Sequence, residues 1–230
     1  MVSVGRFIKR TIAILLLALL AYQLWIFANV LWWKWFNPVS TSFMSLRLDE
    51  LREENPQASL KYQWVSYDQI SDHLKRAVVA TEDDKFVDHW GFDLEGIKVA
   101  LKKNERRGRL SAGGSTITQQ LAKNLFLSPR RSYVRKAQEA VITLMIELTW
   151  EKRRILEVYL NVVEWGNGVF GVGAAAHHYY KIPASQLNRH QAVRIAVMLP
   201  NPRRFERRYP DYLVTHSQRI LARMRHTRLP

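Results

Sequence analysis

The stretch SYVRKAQEAVITLMIEL, residues 132–148, sets Val134, Ala137, Val141, Leu144, Met145 and Leu148 on one stripe at helical spacing. That pattern predicts a long amphipathic helix with the stripe turned inward. The neighbouring segments repeat the periodicity. Upstream, Ser71 caps a predicted helix with Leu74, Ala77, Val78 and Thr81 on its inner face. Asp93 caps another, with Leu94, Ile97, Ala100 and Leu101 inward. Residues 115–127 predict a third helix, halted near Pro129. Downstream, Thr149 to Asn161 reads as helix, and Gly166, Gly168, Gly171 and Gly173 punctuate a loop. Helices over residues 174–180 and 188–199 follow, closed by Pro200-Asn201-Pro202, with a basic tail helix over 215–226. No strand is strongly signalled, so the class expected is mainly α.

The chain begins differently. Thr11 to Trp33 carries no charged residue, and as helix it spans roughly 35 Å, enough for a bilayer core. Arg6, Lys9 and Arg10 precede it and Lys34 follows, so the positive-inside tendency keeps the amino terminus cytoplasmic and exports the remainder. Trp25, Trp32, Trp33 and Trp35 read as an interfacial aromatic belt. A cleaved signal peptide is the rival, but its apolar region usually runs only ~7–15 residues. The expected organisation is a cytoplasmic tail at 1–10, a transmembrane anchor at 11–36, a connector at 37–63 and a globular domain at 64–230. Asn37-Pro38 and Asn55-Pro56 interrupt the connector, which predicts irregular structure there.

A net charge of +15 calls for an acidic partner. An exported basic chain meets little nucleic acid, which leaves anionic headgroups and phosphates. The absence of cysteine fits an oxidising exterior without deciding it.

Four stretches carry candidate chemistry. In EDDKFVDHWG, 82–91, Glu82 ends an apolar helix, where the helix dipole raises a carboxylate's pKa and makes it a better base. A solvated acidic helix end is the plainer reading, and His89 reads as a core or turn histidine. In GGSTITQQLAKN, 113–124, glycines lead through Ser115 and Thr116 into a helix whose free N–H groups offer an anion site. Gln119, Gln120, Lys123 and Asn124 add donors, although Thr116 and Gln119 also read as a capping box. Between Lys98 and Lys136 stand eleven Lys or Arg and one acid, Glu105. That field encloses Leu125-Phe126-Leu127, which suits contact with anionic headgroups as well as a plainly solvated face. In RKAQEAVITLMIE, 135–147, Arg135, Lys136 and Glu139 share a helix face. They form either a surface ion pair or a buried acid held among cations, with Glu147 and Asn161 structural. No second histidine stands at metal-ligand spacing.

These three strings, followed by EVYLNVVEWGNGVFGVGAAAHHYY, resemble in this order the family 51 glycosyltransferases, over residues 64–205. Those are the peptidoglycan polymerases also found as the amino-terminal module of class A penicillin-binding proteins. Because the chain ends at Pro230, the single-activity type without a transpeptidase domain is expected. The resemblance implies a lysozyme-like, mainly helical glycosyltransferase domain with one N-terminal transmembrane helix. It implies lipid II and the growing glycan strand as partners, at the inner membrane, with the domain periplasmic and other cell-wall synthesis proteins as further partners. By motif, Glu82 is the base taking the proton of the acceptor 4-hydroxyl, and Glu139 is a second essential carboxylate near the donor diphosphate. Undecaprenyl diphosphate leaves with inversion to a β-1,4 link. Ser115, Thr116, Gln119, Gln120, Lys123, Asn124, Arg135 and Lys136 match positions holding sugar and diphosphate, with Asp83 supporting the first motif. The resemblance also suggests a divalent cation, Mg or Mn, assisting the diphosphate in some members. One departure is His190-Gln191-Ala192, where the family commonly places an acid.

Two other functions compete: a lysozyme-type lytic enzyme, for which the cation cluster has no use, and a non-catalytic membrane scaffold. A nucleic-acid binder is weakest, since no reading motif is present.

Overall fold

The computed structural model describes residues 2–107, 114–130 and 132–230, and the chain falls into two compact units, Met1–Asn37 and Pro38–Pro230. The first is the helix α1 (Val2–Trp35), long and apolar enough over Val4–Trp35 to cross a membrane. It starts well before residue 11, so the basic residues anticipated as a separate tail form its first turns. Its polar groups turn back on the helix itself. Thr11 Oγ1 donates to the Phe7 carbonyl at 3.1 Å and Asn29 Nδ2 to the Trp25 carbonyl at 2.8 Å, which suits a hydrocarbon surrounding.

The second unit opens with a helix where irregular connector is predicted. α2 (Ser42–Glu54) is capped by Thr41, whose Oγ1 accepts the Met44 N–H at 3.2 Å. Met44 is buried, and α2 packs on α5 (Ile117–Phe126). The buried Arg47 donates from Nη2 to Glu164 Oε2 at 3.2 Å, tying α2 to the strand that carries Glu164.

α3 (Asp72–Glu82) follows the predicted pattern. Ser71 Oγ accepts the His73 N–H and donates to the Leu187 carbonyl at 2.7 Å, while Leu74, Ala77 and Val78 are fully buried. Each such burial contributes about 1–3 kcal/mol. α4 (Leu94–Arg107) is capped by Asp93 as expected, its Oδ1 accepting the Gly96 N–H at 2.9 Å. Its inner face is narrower than predicted, since Ala100 is buried while Leu94 and Leu101 lie exposed.

α6 (Tyr133–Thr149) forms where expected and faces the opposite way. Val134, Val141, Leu144 and Leu148 are exposed, Leu148 at 73%. The face against α5 instead carries Glu139, Ile142, Thr143, Ile146 and Glu147, all buried. The acids are tolerated there because each is paired. Glu147 Oε1 accepts from Thr118 Oγ1 at 2.5 Å and from Lys152 Nζ at 2.8 Å. Leu125, Phe126 and Leu127, expected at a membrane surface, are buried as well.

α7 (Lys152–Val162) starts later than Thr149, because the N–H of Trp150 closes α6 on the Ile146 carbonyl at 2.8 Å. Asn161 is structural, as read: its side chain bonds the N–H and carbonyl of Val65, both at 2.8 Å. The glycine-rich loop folds into strands β2 (Glu164–Gly166) and β3 (Val169–Phe170), with β1 (Lys61–Tyr62) parallel to β3 and β2 antiparallel. Strands this short leave no alternation for sequence to show. Gly171 has φ +77, and a Cβ there would stand 2.7 Å from the Asn161 carbonyl oxygen, so only glycine fits.

α8 (Val172–Tyr180), α9 (Arg189–Ala196), α10 (Pro202–Arg207) and α11 (Asp211–Arg223) complete the unit, with α9 and α11 packed on α3. α10 was not foreseen; Pro202 begins it, a position that needs no N–H donor. Gln191, which fills the place of the expected acid, completes a capping box with Asn188 at the start of α9.

Candidate active site

Glu82 is the last residue of α3, and the chain leaves it through Asp83 toward the fully buried Phe86. Asp83 joins two of the sequence motifs. Its Oδ2 accepts the Ile117 N–H at 3.0 Å, and its Oδ1 pairs with His89 Nε2 at 2.7 Å. The carboxyl end of α3 is thereby docked on the amino end of α5. Glu82 Oε2 then accepts from Gln120 Nε2 at 2.8 Å, and Gln120 Oε1 accepts from the Tyr159 hydroxyl at 3.0 Å.

The start of α5 is not the open anion site its glycines suggested. The N–H of Ile117 is held by Asp83, that of Gln119 by Thr116 Oγ1, and that of Thr116 by Gln119 Oε1. Thr116 Oγ1 also donates to the Gly91 carbonyl at 2.6 Å. Thr116 and Gln119 are therefore buried frame residues in a capping box, and Asn124 is buried too. Anion-binding capacity lies in side chains instead.

Those side chains converge from α5 and α6. Arg135 Nη1 donates to Glu139 Oε2 at 2.7 Å, and Lys136 Nζ bonds Glu139 Oε1 as well as Ser115 Oγ at 3.3 Å. Glu139 is 3% exposed, so it is the buried acid among cations that the spacing allowed. Lys123 of α5 feels the charges of both this cluster and Glu82. Burial pushes its ammonium pKa down, while Glu139 and Glu82 pull it up and Arg135 and Lys136 push it further down. At Glu82, burial raises the pKa, Gln120 and Lys123 oppose that, and Asp83 adds to it. The direction agrees with the helix-end expectation, but desolvation is the leading cause.

A cavity of about 130 Å³ opens here, lined by Glu82, Asp84, Asp93, Ser115 and Arg223 among others. Larger cavities, about 440 and 600 Å³, lie along Trp64, His177 and Lys181 and along Asp68 to Asn188, and contain none of these groups. Of these three spaces the smallest one holds Glu82 and Ser115. Sequence reasoning missed Tyr159, which lies within the quoted EVYLN string, and Arg223, which pairs with Asp84 at 2.8 Å. Among the described residues no group of three or more His, Asp or Glu could hold a metal, and Glu139 is already saturated by cations. The donor set does not fit a resident divalent ion.

A hydrogen-bonded carboxylate and a cluster of paired cations, on a mainly helical frame, suit an enzyme of glycosyl transfer. The sequence model described as transglycosylase matches residues 49–225, and the chain belongs to that family. Its architecture is mainly helical and lysozyme-like, as the resemblance implied. It is 61% identical over 230 residues to the biosynthetic peptidoglycan transglycosylase of Azoarcus sp. (strain BH72), covering 100% of both chains. The protein of that name from Aromatoleum aromaticum (strain DSM 19018 / LMG 30748 / EbN1) is 61% identical over 221 residues, 96% of each chain. That from Dechloromonas aromatica (strain RCB) is 58% identical over 221 residues, again 96% of each.

Proposed function

We propose that this transglycosylase polymerises lipid II, a disaccharide-pentapeptide on undecaprenyl diphosphate, into β-1,4 glycan strands with inversion. The observation carrying this is the cluster of Arg135, Lys136 and Glu139, which together with Glu82 acts by charge on Lys123.

In this reading Glu82 takes the proton of the acceptor 4-hydroxyl as that oxygen bonds to the anomeric carbon of the donor. The bond from that carbon to the diphosphate oxygen breaks, and its electron pair leaves with undecaprenyl diphosphate. Lys123, Arg135 and Lys136 face the charge that grows on the leaving group, with Ser115 beside them. Fixed cations need no reorganisation as charge develops, and such stabilisation is often the largest contribution to catalysis. Glu139 holds Arg135 and Lys136 in place rather than reacting. Asp83, Thr116, Gln119 and Asn124 act as frame, and Gln120 as the donor that keeps Glu82 ionised. No step passes through a metal ion.

α1 anchors the chain in the inner membrane with its amino terminus cytoplasmic and the second unit periplasmic. The exposed aliphatic face of α6, not Leu125-Phe126-Leu127, meets the bilayer surface from which the lipid-linked substrate comes.

The purified full-length chain, given lipid II in vesicles, should produce polymer and release undecaprenyl diphosphate. Glu82→Gln should lose at least about 100-fold, the lower end for loss of a general base. Shortening of preformed glycan by the wild type would establish the lytic reading instead. Normal polymerisation by Glu82→Gln would remove Glu82 from the role.

A further inference from the structure

We propose that Tyr159 is a positioning residue that holds Glu82 in its proton-accepting state by fixing which way the Gln120 amide faces. It rests on the reading of Glu82 as base, and Tyr159 itself touches neither sugar nor diphosphate.

Tyr159 lies in α7 with no exposed surface. Its hydroxyl reaches Gln120 Oε1 at 3.0 Å, and the other end of that amide, Nε2, reaches Glu82 Oε2 at 2.8 Å. A primary amide has one donating and one accepting end, whereas an ionised carboxylate only accepts. With Nε2 toward Glu82, the carboxylate is matched and every group in the chain is satisfied. Turning the amide over sets Oε1 against Glu82, an arrangement that suits only the protonated acid. It also sets Nε2 against the Tyr159 oxygen and leaves the buried phenol proton without this acceptor. Stranding a buried donor disfavours that state by about 5- to 150-fold. The tyrosine therefore biases the amide, and the amide biases the proton. Burial, with Glu82 and Asp83 adding to it, raises the Tyr159 pKa well above its ordinary value, so the phenol remains a donor at working pH.

Other charges face the same carboxylate. Lys123 of α5 favours its ionised form, and Asp83 at the end of α3 opposes it. Asp84, Asp93 and Arg223 of α11 line the same cavity, and Arg135, Lys136 and Glu139 of α6 act on Lys123. All of these act by charge, whichever way the amide points. Tyr159 acts through orientation.

The test is the pH profile of kcat/KM for lipid II polymerisation by the full-length chain. In Tyr159→Phe the acid limb should move up by about 0.5–1 unit. The rate should fall about 3- to 10-fold on that limb and converge on wild type at high pH. Gln120→Met should shift the limb at least as far, and adding Tyr159→Phe to it should shift nothing more. A drop equal at every pH, an unchanged profile, or additive shifts in the double variant would overturn the role of Tyr159. Should Tyr159→Phe fail to fold, an unshifted limb in Gln120→Met does the same. Glu82→Gln separates the two claims. If it polymerises normally, the base reading fails. If it is inactive while the Tyr159→Phe profile parallels wild type, only the tyrosine's role falls.

Discussion

Asp83 and Ile117 are joined by a 3.0 Å hydrogen bond from the backbone N–H of Ile117 to a buried carboxylate oxygen. This bond sets where the end of α3 stands against the start of α5, and with it where Glu82 meets Gln120. Asp83, expected among the substrate-binding residues, lines the cavity beside Glu82 with both its oxygens held by partners. Asp83→Ala should destabilise the fold by about 2–3 kcal/mol, the range for losing a charged, buried hydrogen bond. It should lower kcat by roughly 100-fold, since displacements near 1 Å have that effect. Thermal melting and steady-state rates measured on one preparation check both. Wild-type activity with a lowered melting temperature would show that the docking does not govern the base.

Glu139 accepts from Arg135 and Lys136 at once. Glu139→Gln removes the charge that organises both cations while keeping the side chain's shape. We expect kcat to fall about 100-fold or more, in line with losing preorganised electrostatics. KM for lipid II should hold steady or drop, because the cations are no longer neutralised. A rise in KM at unchanged kcat would mean that Glu139 contacts the substrate directly.

The raised pKa of Glu82 has a consequence for stability. In the folded chain the carboxyl keeps its proton to higher pH than in the unfolded chain, where the ordinary value is 4.5. The folded state therefore binds the extra proton above that value, and stability declines as pH rises through the folded pKa. Glu82→Gln removes this liability. The variant should melt above wild type at pH 7.5, and the gap should close toward pH 4. A gap of equal size at both values would contradict the linkage.

The outer face of α6 supplies a fourth test. Leu144→Glu combined with Leu148→Glu places charge on exposed aliphatic positions without touching the core. Rates on vesicle-embedded lipid II should fall at least about tenfold, the scale of one lost apolar burial. Rates on a short-chain, water-soluble analogue should stay near wild type. Equal losses on both substrates would point to a folding defect rather than a lost surface.

Much of this was legible before any coordinates. Ser71, Asp93 and Thr116 cap helices that begin where their sequence signals place them, because capping is a local hydrogen-bond arrangement. Of the residues in the motifs, Gln120 meets Glu82, and Arg135 and Lys136 meet Glu139. α6 was misread for a physical reason. Hydrophobic periodicity finds the apolar face and takes it as inward, whereas here the inner face holds Glu139 and Thr143, satisfied within α6, and Glu147, satisfied by Thr118 and Lys152 from other elements. The pairing of Glu147 leaves no mark on the helix's own sequence. The sequence pattern does not reveal α2 because its buried anchors are few, Met44 and an arginine that Glu164 and Glu50 make tolerable. Nothing in its own stretch of sequence sets Tyr159 apart from a core aromatic; its hydroxyl's neighbour does.

α6 carries oil-compatible side chains on one side and the paired cations Arg135 and Lys136 on the other. On the proposed function, a lipid-linked sugar docked along it would have its head at these cations while its prenyl chain stays among other acyl chains. Drawing such a tail into water would cost about 0.8 kcal/mol for every methylene exposed. Under that proposal, successive additions would need no extraction of the isoprenoid, and the polymer would lengthen with its carrier still dissolved in the leaflet.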